Sequence, residues 1–261
     1  MILEINECED ASSGCFAIGG GIKKVQITVV YDNNACKEGL EVGWGFSCLV
    51  RNGEKTILFD TGPGRSFLRN MERLAIEPES IDIVILSHVH GDHAGGLGSF
   101  LEKNCEVRVY LPKSFPKRLK DKVAGYGAKM VEAERSLEIC ENVYSTGQLG
   151  RLIKEQALVV GTEAGPVLIA GCAHPGIVKI VKAAKELLEH EVFLVMGGFH
   201  LEWSTRGKIK KIISAFKDLG VTYVGPCHCS GDKAQGMFEK HFGEDYIEVG
   251  AGRVIRPGDL Q

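Results

Sequence analysis

The chain has 261 residues, of which 44% are hydrophobic and 25% are charged, proportions that are ordinary for a globular protein. Its formal net charge of −3 gives no bulk electrostatic reason to bind nucleic acid or an anionic membrane surface. No apolar run reaches the ~18 residues of a transmembrane helix, and the acidic N-terminal segment does not resemble a signal peptide. We therefore expect a soluble, cytoplasmic protein whose partner is a small molecule and not nucleic acid or a membrane.

The chain contains nine cysteines, an odd number that is scattered over its length. This pattern indicates reduced thiols and not a disulfide framework, as expected in the cytoplasm. No internal repeat or proline-rich linker divides the chain, so we expect a single domain over 1–261. Residues 1–24 are the least patterned and are expected to form an N-terminal extension. Its three glycines at 19–21 mark a flexible turn before the first strand.

The first half of the chain is dominated by strand patterns. Apolar runs predict strands at 25–31, 46–50, 56–60, 83–87 and 107–111. Asn52-Gly53 is a strong signal for a two-residue hairpin between the second and third of these strands. The fourth is apolar throughout its core, as expected of a strand that is buried on both faces. Helices are predicted at 65–74 and at 114–122, the latter basic and on the surface.

The second half alternates strands with helices. Strands are predicted at 157–162, 166–170, 192–196, 221–225 and 246–249, and helices at 177–189, 206–219 and 231–242. The first two of these helices carry an apolar stripe on one face, and Gly220 is placed to end the second. Early hairpins followed by strand–helix alternation predict an α/β fold with mixed sheets and helices outside. A four-layer αββα sandwich and a doubly wound sheet both satisfy this pattern.

Residues 87–96 read SHVHGDHAGG and place three histidines and one aspartate within six residues. In an extended segment His88 and His90 point to the same side, and the glycine that follows lets Asp92 and His93 turn toward a second position. Imidazole and carboxylate are usual ligands of zinc, iron and manganese. We therefore expect two half-sites a few ångströms apart, as a binuclear centre needs. A structural zinc site is disfavoured because such sites usually contain thiolates.

The sequence HVHGDH at 88–93 resembles the HxHxDH signature of the metallo-β-lactamase superfamily. LFDTG at 58–62, GCAHPG at 171–176 and GPCHC at 225–229 extend the resemblance to roughly 25–255. More narrowly, VYDNNA, GCAHPG, GGFHL and CHCSG resemble the metal-dependent hydrolase subfamily that includes the dihydropterin–ribofuranosylaminobenzene phosphate synthase of methanopterin biosynthesis. The resemblance implies the four-layer αββα fold, a divalent metal cofactor and enzymatic activity.

The resemblance also implies roles for distant residues. His228 is expected to be the final ligand and to complete the half-site of Asp92 and His93. Asp60, at the end of a strand, is expected to orient the histidine-rich loop by hydrogen bonds without binding the metal itself. His200 also ends a predicted strand, which makes it a candidate for substrate contact or general acid catalysis, although an ordinary polar residue would suit the same place.

The chain departs from the superfamily pattern in two places. Where the superfamily has a bridging aspartate, this chain has Cys172, whose thiolate would favour zinc over magnesium or manganese if it bound metal. Alternatively Cys172 is a small buried residue and His174 supplies the ligand. A further histidine expected between about 140 and 160 is absent, and STGQ at 145–148 occupies the region. We expect His174 to compensate for it.

Together these features predict a metal-dependent hydrolase. A metal-bound hydroxide would attack a small phosphorylated or ester-like substrate, and Asp92 and His200 are the candidate catalytic residues. The predicted ligand groups are His88, His90 and His174 for one ion, and Asp92, His93 and His228 for another, with Cys172 near both. One or two divalent ions are expected, with zinc favoured and manganese, iron and magnesium left open.

Two alternatives to this function stay open. The first is a transferase of the pterin type, in which the metals would bind a diphosphate leaving group. The second is a ligand-binding or sensing protein with a vestigial metal site. Two basic segments, at 113–122 and 206–211, are expected to be solvated helix faces rather than a lid or a phosphate-binding patch.

Overall fold

The computed structural model describes residues 24–53 and 55–260. Within these ranges no helix combines the length and the apolar character that crossing a membrane requires. The expected extension at 1–24 lies, except for Lys24, outside the described residues, as does the glycine turn at 19–21. The extent of the domain therefore stays a prediction.

Several strands follow one another at the start and in the middle of the described chain, and helices separate the others. The strands are β1 (Val25–Tyr31), β2 (Ser47–Asn52), β3 (Lys55–Phe59), β4 (Ile83–Ile85), β5 (Arg108–Pro112), β6 (Lys129–Ala133), β7 (Leu137–Cys140), β8 (Val143–Ser145), β9 (Leu158–Val160), β10 (Val167–Ala170), β11 (Leu194–Gly198), β12 (Tyr223–Cys227) and β13 (Val254–Ile255). The helices are α1 (Ser66–Arg73), α2 (Gly91–Ala94), α3 (Leu97–Leu101), α4 (Lys117–Gly125), α5 (Ile177–Leu188), α6 (Arg206–Asp218) and α7 (Asp232–Phe242).

The described strands form two mixed sheets, with the orders β13-β1-β2-β3-β4-β5-β6 and β12-β11-β10-β9-β8-β7. In the first sheet β13, β1, β2 and β3 are antiparallel neighbours, whereas β3 to β6 are parallel. In the second sheet β10 to β12 are parallel and β7 to β10 are antiparallel. The hairpin predicted between β2 and β3 is thereby confirmed, and β9 and β10 form a second antiparallel hairpin.

Three apolar layers separate the secondary structures. The central layer lies between the sheets and contains side chains such as Phe59 and Ile169. A second packs α1, α3 and α4 on the first sheet, and a third packs α5, α6 and α7 on the second. The architecture is the four-layer αββα sandwich, because the strands of each sheet bury one face against the other sheet and one against helices.

The carboxyl ends of two sets of parallel strands locate the polar loops of interest. β3 ends before Asp60, and β4 ends just before the histidine-rich segment at 87–96. β10, β11 and β12 end before Cys172, His200 and His228, respectively. Since parallel strands end at the same edge of their sheet, the topology gathers residues that are far apart in sequence.

Three local predictions were wrong or incomplete. Residues 246–249 do not form the last strand; Tyr246 makes an isolated bridge with Val224, and β13 is the last strand. The alternation at 246–249 reflects burial of Ile247 and Val249 in the central layer and not membership of a ladder. The basic helix begins at Lys117, after Pro116, because proline is favoured at a helix start and lacks the donor that a helix interior needs. Strands β6, β7 and β8 were not predicted.

Truncation in the central layer should destabilise the protein. Ile169 is fully buried there, so we expect Ile169→Ala to lower the free energy of unfolding by about 2–5 kcal/mol and Ile169→Val by about 0.5–1.5 kcal/mol. Urea unfolding followed by circular dichroism measures both. An alanine variant as stable as the parent would contradict the placement of this side chain.

Candidate metal centre

The histidine-rich loop is held by backbone hydrogen bonds to its neighbours. The His93 carbonyl accepts from the backbone N–H of Thr61 at 2.7 Å and from its hydroxyl at 2.9 Å. The carbonyl of Asp92 accepts from the N–H of Phe46 at 3.2 Å. The backbone is extended up to His90 and becomes helical in α2. After this change of conformation the donor atoms fall into two groups, His88 with His90 and Asp92 with His93.

Asp60 lies beneath this loop, fully buried, with φ at 58°. One carboxylate oxygen accepts the backbone N–H of Ser87 at 2.7 Å, and the other accepts the Ser87 hydroxyl at 2.7 Å. The second oxygen also lies 2.7 Å from Nδ1 of His93. Asp60 therefore occupies the orienting position that the resemblance implied, joined to the loop by three hydrogen bonds.

The chain just after β10 passes so close to Asp60 and Ser87 that position 171 must be a glycine. A Cβ atom at Gly171 would lie 2.2 Å from Oγ of Ser87 and 3.0 Å from Oδ2 of Asp60. Contacts below 3.0 Å are essentially never seen for real Cβ atoms. Only glycine lets β10 bring Cys172 and His174 against the loop.

Four histidines share one arrangement, in which Nδ1 faces an oxygen. Ser87 donates its hydroxyl hydrogen to Asp60, so it must accept from Nδ1–H of His88, 2.9 Å away. Nδ1 of His93 faces Asp60, as described above. The other two pairs are His174 with Glu155 at 2.8 Å and His228 with Asn33 at 3.0 Å. Each pairing leaves the lone pair of a neutral ring on Nε2, the atom available to a metal.

The Nε2 side of these rings faces a common space. Nε2 of His93 lies 3.2 Å from Nε2 of His228 and 3.2 Å from Sγ of Cys172. Nε2 of His88 is buried and has no hydrogen-bond partner among the described residues. Buried nitrogen atoms with unused lone pairs are costly unless something binds them. The residues therefore fit a metal ion.

Two clusters of donor atoms, each with its members within 4.8 Å of one another, could hold metal ions. They are His88, His90 and His174, and Asp92, His93, Cys172 and His228. His174 lies with the first pair of histidines and the Cys172 thiol with the second half-site, so both alternatives from the sequence place a donor at the centre. A third such cluster joins Cys172, His174 and His200. All the predicted residues are thus brought together, and their roles as ligands stay predictions.

Burial and charge set the protonation of the metal-free centre. Burial, aided by the charge of His93, lowers the pKa of His88 to about 2, which keeps this ring neutral. Burial alone would also lower the pKa of His93, but Asp60 and Asp92 outweigh it and raise that pKa to about 10. His93 is therefore an imidazolium between two carboxylates.

His200 lies at the exposed edge of the centre. Its ring centroid is 4.7 Å from that of His174, and its backbone has φ at 55°. A hydrogen bond with the Cys229 thiol is the main cause that raises the pKa of His200. This position agrees with the predicted rim residue.

Besides Ser87, sequence reasoning missed two residues that orient candidate ligands. Glu155 is fully buried and accepts three backbone N–H groups, from Cys172, Ala173 and His174, each at 2.8 Å, besides the His174 ring. Burial would raise the pKa of Glu155, but the hydrogen bonds of His174 hold it at about 2. Glu155 lies in the very region where a histidine was expected. The available signal was a charged residue two positions before the predicted strand at 157–162.

The second missed residue is Asn33. Its amide donates to the His228 carbonyl at 3.3 Å, and its oxygen faces Nδ1 of the same ring while accepting from the N–H of Gly45 at 3.3 Å. The signal was a run of three polar residues, 32–34, directly after an apolar strand. Asn33 thus holds both the backbone carbonyl and the ring of His228, whose φ is 49°.

Comparison with known proteins agrees with this geometry. Residues 42–181, more than half of the chain, match the profile of the metallo-beta-lactamase superfamily. The chain belongs to the metallo-β-lactamase superfamily. A relative from Methanocaldococcus jannaschii, 7,8-dihydropterin-6-methyl-4-(beta-D-ribofuranosyl)-aminobenzene-5'-phosphate synthase, is 32% identical over 262 residues, 81% of this chain and 89% of that protein.

Solved structures of the superfamily have the same architecture. One, a metal-dependent hydrolase of the beta-lactamase superfamily, is 32% identical with a TM-score of 0.76, and the match covers 88% of this chain and 98% of that one. A metallo-beta-lactamase fold protein from Bacillus subtilis is 14% identical with a TM-score of 0.68, covering 90% and 100% of the two chains, and shows the fold alone. The protein is therefore an enzyme, and the superfamily to which it belongs is metal-dependent.

Removing the charge of Glu155 should loosen the His174 side of the centre. We expect Glu155→Gln to weaken metal binding about 10–100-fold, the usual effect of losing a group that orients a ligating histidine. Metal competition with a chromophoric chelator measures this. Glu72→Gln, on the exposed face of α1, serves as control, and equal affinities for the two variants would contradict the role of Glu155.

Proposed function

We propose that this enzyme is a zinc-dependent hydrolase of a small phosphorylated or ester-like substrate and that it acts in the cytoplasm. The observation that supports it is the shared direction of four imidazoles, whose Nδ1 atoms face protein oxygens and whose Nε2 atoms face one space. Such fixed donors favour a bound cation over a merely structural cluster, because each ring is oriented before the ion arrives.

The residues of the two clusters would hold the metal. His88, His90 and His174 supply three imidazoles to one position, which suits zinc, and a second position adds a carboxylate and a thiol to two imidazoles. When bound, a metal pair supplies a Lewis acid for a substrate oxygen and a nucleophile near neutral pH. The softness of the Cys172 thiol is the reason to favour zinc over magnesium.

Two side chains are placed to move protons. Asp92 is part-exposed, and its Oδ2 lies 3.4 Å from Nε2 of His228 and 3.5 Å from Nε2 of His93. It can accept a proton from the attacking group on the solvent side of the centre. His200, exposed and with a raised pKa, carries a proton over more of the neutral range and can donate it to the leaving group.

A transferase is the second candidate, and one observation favours it. The relative from Methanocaldococcus jannaschii that is 32% identical over 81% of this chain is a synthase of an aminobenzene phosphate compound. In such a reaction the same donors would bind a diphosphate leaving group, and the attacking group would come from a second substrate. The ligand-binding alternative predicts a metal content well below one ion per chain.

Hydrolysis can be tested directly. We expect the zinc-loaded protein to hydrolyse one of a set of phosphodiester, lactone and thioester substrates, and His90→Ala or a chelator to lower kcat/KM by at least about 100-fold because the metal is lost. His190→Ala, which removes an exposed histidine beyond α5, should leave activity unchanged. Activity that persists after complete metal removal and in His90→Ala would end the hydrolase proposal.

Metal binding should release a proton. The pKa of His93 is about 10 in the metal-free centre, so at lower pH an ion must displace that proton, and its apparent affinity should rise as pH rises from 6 to 9. The expected slope is about tenfold per pH unit for each displaced proton. Calorimetry in buffers of different ionisation enthalpy counts the protons. An affinity independent of pH over this range would show that His93 is already neutral.

A further inference from the structure

The chain contains two tryptophans, and both are exposed. Trp44 is 54% exposed and Trp203 is 93% exposed. Tryptophan is on average a highly buried residue, and its large apolar surface is seldom left in water without a reason. Exposure of every tryptophan in a chain with three extensive apolar layers therefore points to something that these side chains bind.

Trp44 lies directly against the metal centre. Its ring centroid is 4.9 Å from that of His228, with the planes inclined at 56°. A ligand that reaches Nε2 of His228 from solvent therefore passes close to the indole. Trp44 also contacts a ring that the protein itself holds in place through Asn33, so the indole has a fixed neighbour on one side and solvent on the other.

The backbone around Trp44 is fixed on both sides. Gly43 donates to the Asp32 carbonyl at 3.1 Å, and Gly45 donates to the Asn33 side chain at 3.3 Å. Gly45 has φ at 150° and no room for a side chain, because its Cβ would lie 2.7 Å from the Asp92 carbonyl. An exposed indole on a rigid support loses little entropy when a ligand stacks on it.

Trp203 stands on a second turn, which backbone hydrogen bonds hold in place. It follows His200 by three residues, and the N–H groups of Leu201 and Glu202 donate to the Cys229 carbonyl at 3.0 and 3.2 Å. The N–H of Ser204 closes the turn on the Leu201 carbonyl at 2.9 Å. The turn that carries Trp203 is therefore tied to the residue that follows His228.

Other exposed apolar side chains have the same distribution. Among the described residues the large exposed hydrophobic side chains are Val42, Trp44, Val89, Leu152, Trp203 and Val254. Val89 separates His88 from His90, Leu152 precedes Glu155 by three residues, and Val42 precedes Trp44 by two. Val254 alone of this set lies elsewhere, on β13. The loops that build the centre thus carry the exposed apolar surface.

We propose that Trp44 and Trp203 bind a planar aromatic group of the substrate while its anionic group lies at the metal centre. The inference rests on the proposed function, since it places the ligand at the same donors, and it narrows the substrate class to aromatic phosphorylated or ester-like compounds. Stacking suits this role because an indole face favours a flat π-system over an aliphatic group of equal size.

Two phosphonates of equal carbon skeleton that resist hydrolysis provide the test: 1-naphthylmethylphosphonate and its saturated counterpart decahydronaphthalen-1-ylmethylphosphonate, titrated calorimetrically into the zinc-loaded protein. We expect the naphthyl compound to bind about tenfold more tightly, as the usual strength of aromatic stacking implies. Trp44→Ala and Trp203→Ala should each reduce this preference, Trp44→Phe should retain most of it, and the control Val254→Ala should leave it unchanged.

The outcomes separate this inference from the hydrolase proposal. If the protein prefers the naphthyl compound but hydrolyses none of the substrates, aromatic binding is supported and the hydrolase proposal is wrong. An equal preference in the parent and both alanine variants, or binding of neither phosphonate, overturns the proposal that Trp44 and Trp203 bind an aromatic group. A preference that is unchanged while the tryptophan variants alter the sedimentation coefficient would assign these side chains to a protein interface instead.

Discussion

The centre depends on one buried carboxylate. Asp60, with no exposure to solvent, joins the end of β3 to the loop after β4 through the Ser87 backbone, the Ser87 hydroxyl and the His93 ring. A buried carboxylate is costly unless it is paired and fully hydrogen-bonded. Because His93 is held as its cationic partner, the buried pair is stable, and in the proposed function an entering ion would have to replace a proton.

Each of four histidines around the site is oriented by a hydrogen bond between its Nδ1 atom and a side-chain oxygen. A serine, an aspartate, a glutamate and an asparagine each face one Nδ1 atom, and all four come from different segments of the chain. Glu155 contributes most broadly, since it also holds the turn that carries Cys172 and His174. Orientation by fixed acceptors means that the donor geometry exists before an ion binds, which favours tight and selective metal binding.

Inner and outer residues of the centre have different tasks. The buried rings of His88, His93 and His228 are fixed by hydrogen bonds and packing. The more exposed residues, Asp92, His200 and Trp44, lie on the solvent side of the centre. In the proposed function the first group holds the metal and the second transfers protons and selects the ligand, so changes in specificity need not disturb the metal donors.

The sequence by itself determined what local spacing can encode. The succession of hairpins and strand–helix units predicted the layered α/β fold, and HVHGDH at 88–93 predicted both half-sites. It did not reveal that Asn33 orients His228, because those residues are 195 positions apart and meet only when the sheets pack. It also left Cys172 and His174 as alternatives, whereas the turn held by Glu155 brings both to the centre. Periodicity reports which face of a strand is buried, but the partner across a buried space is chosen by tertiary packing.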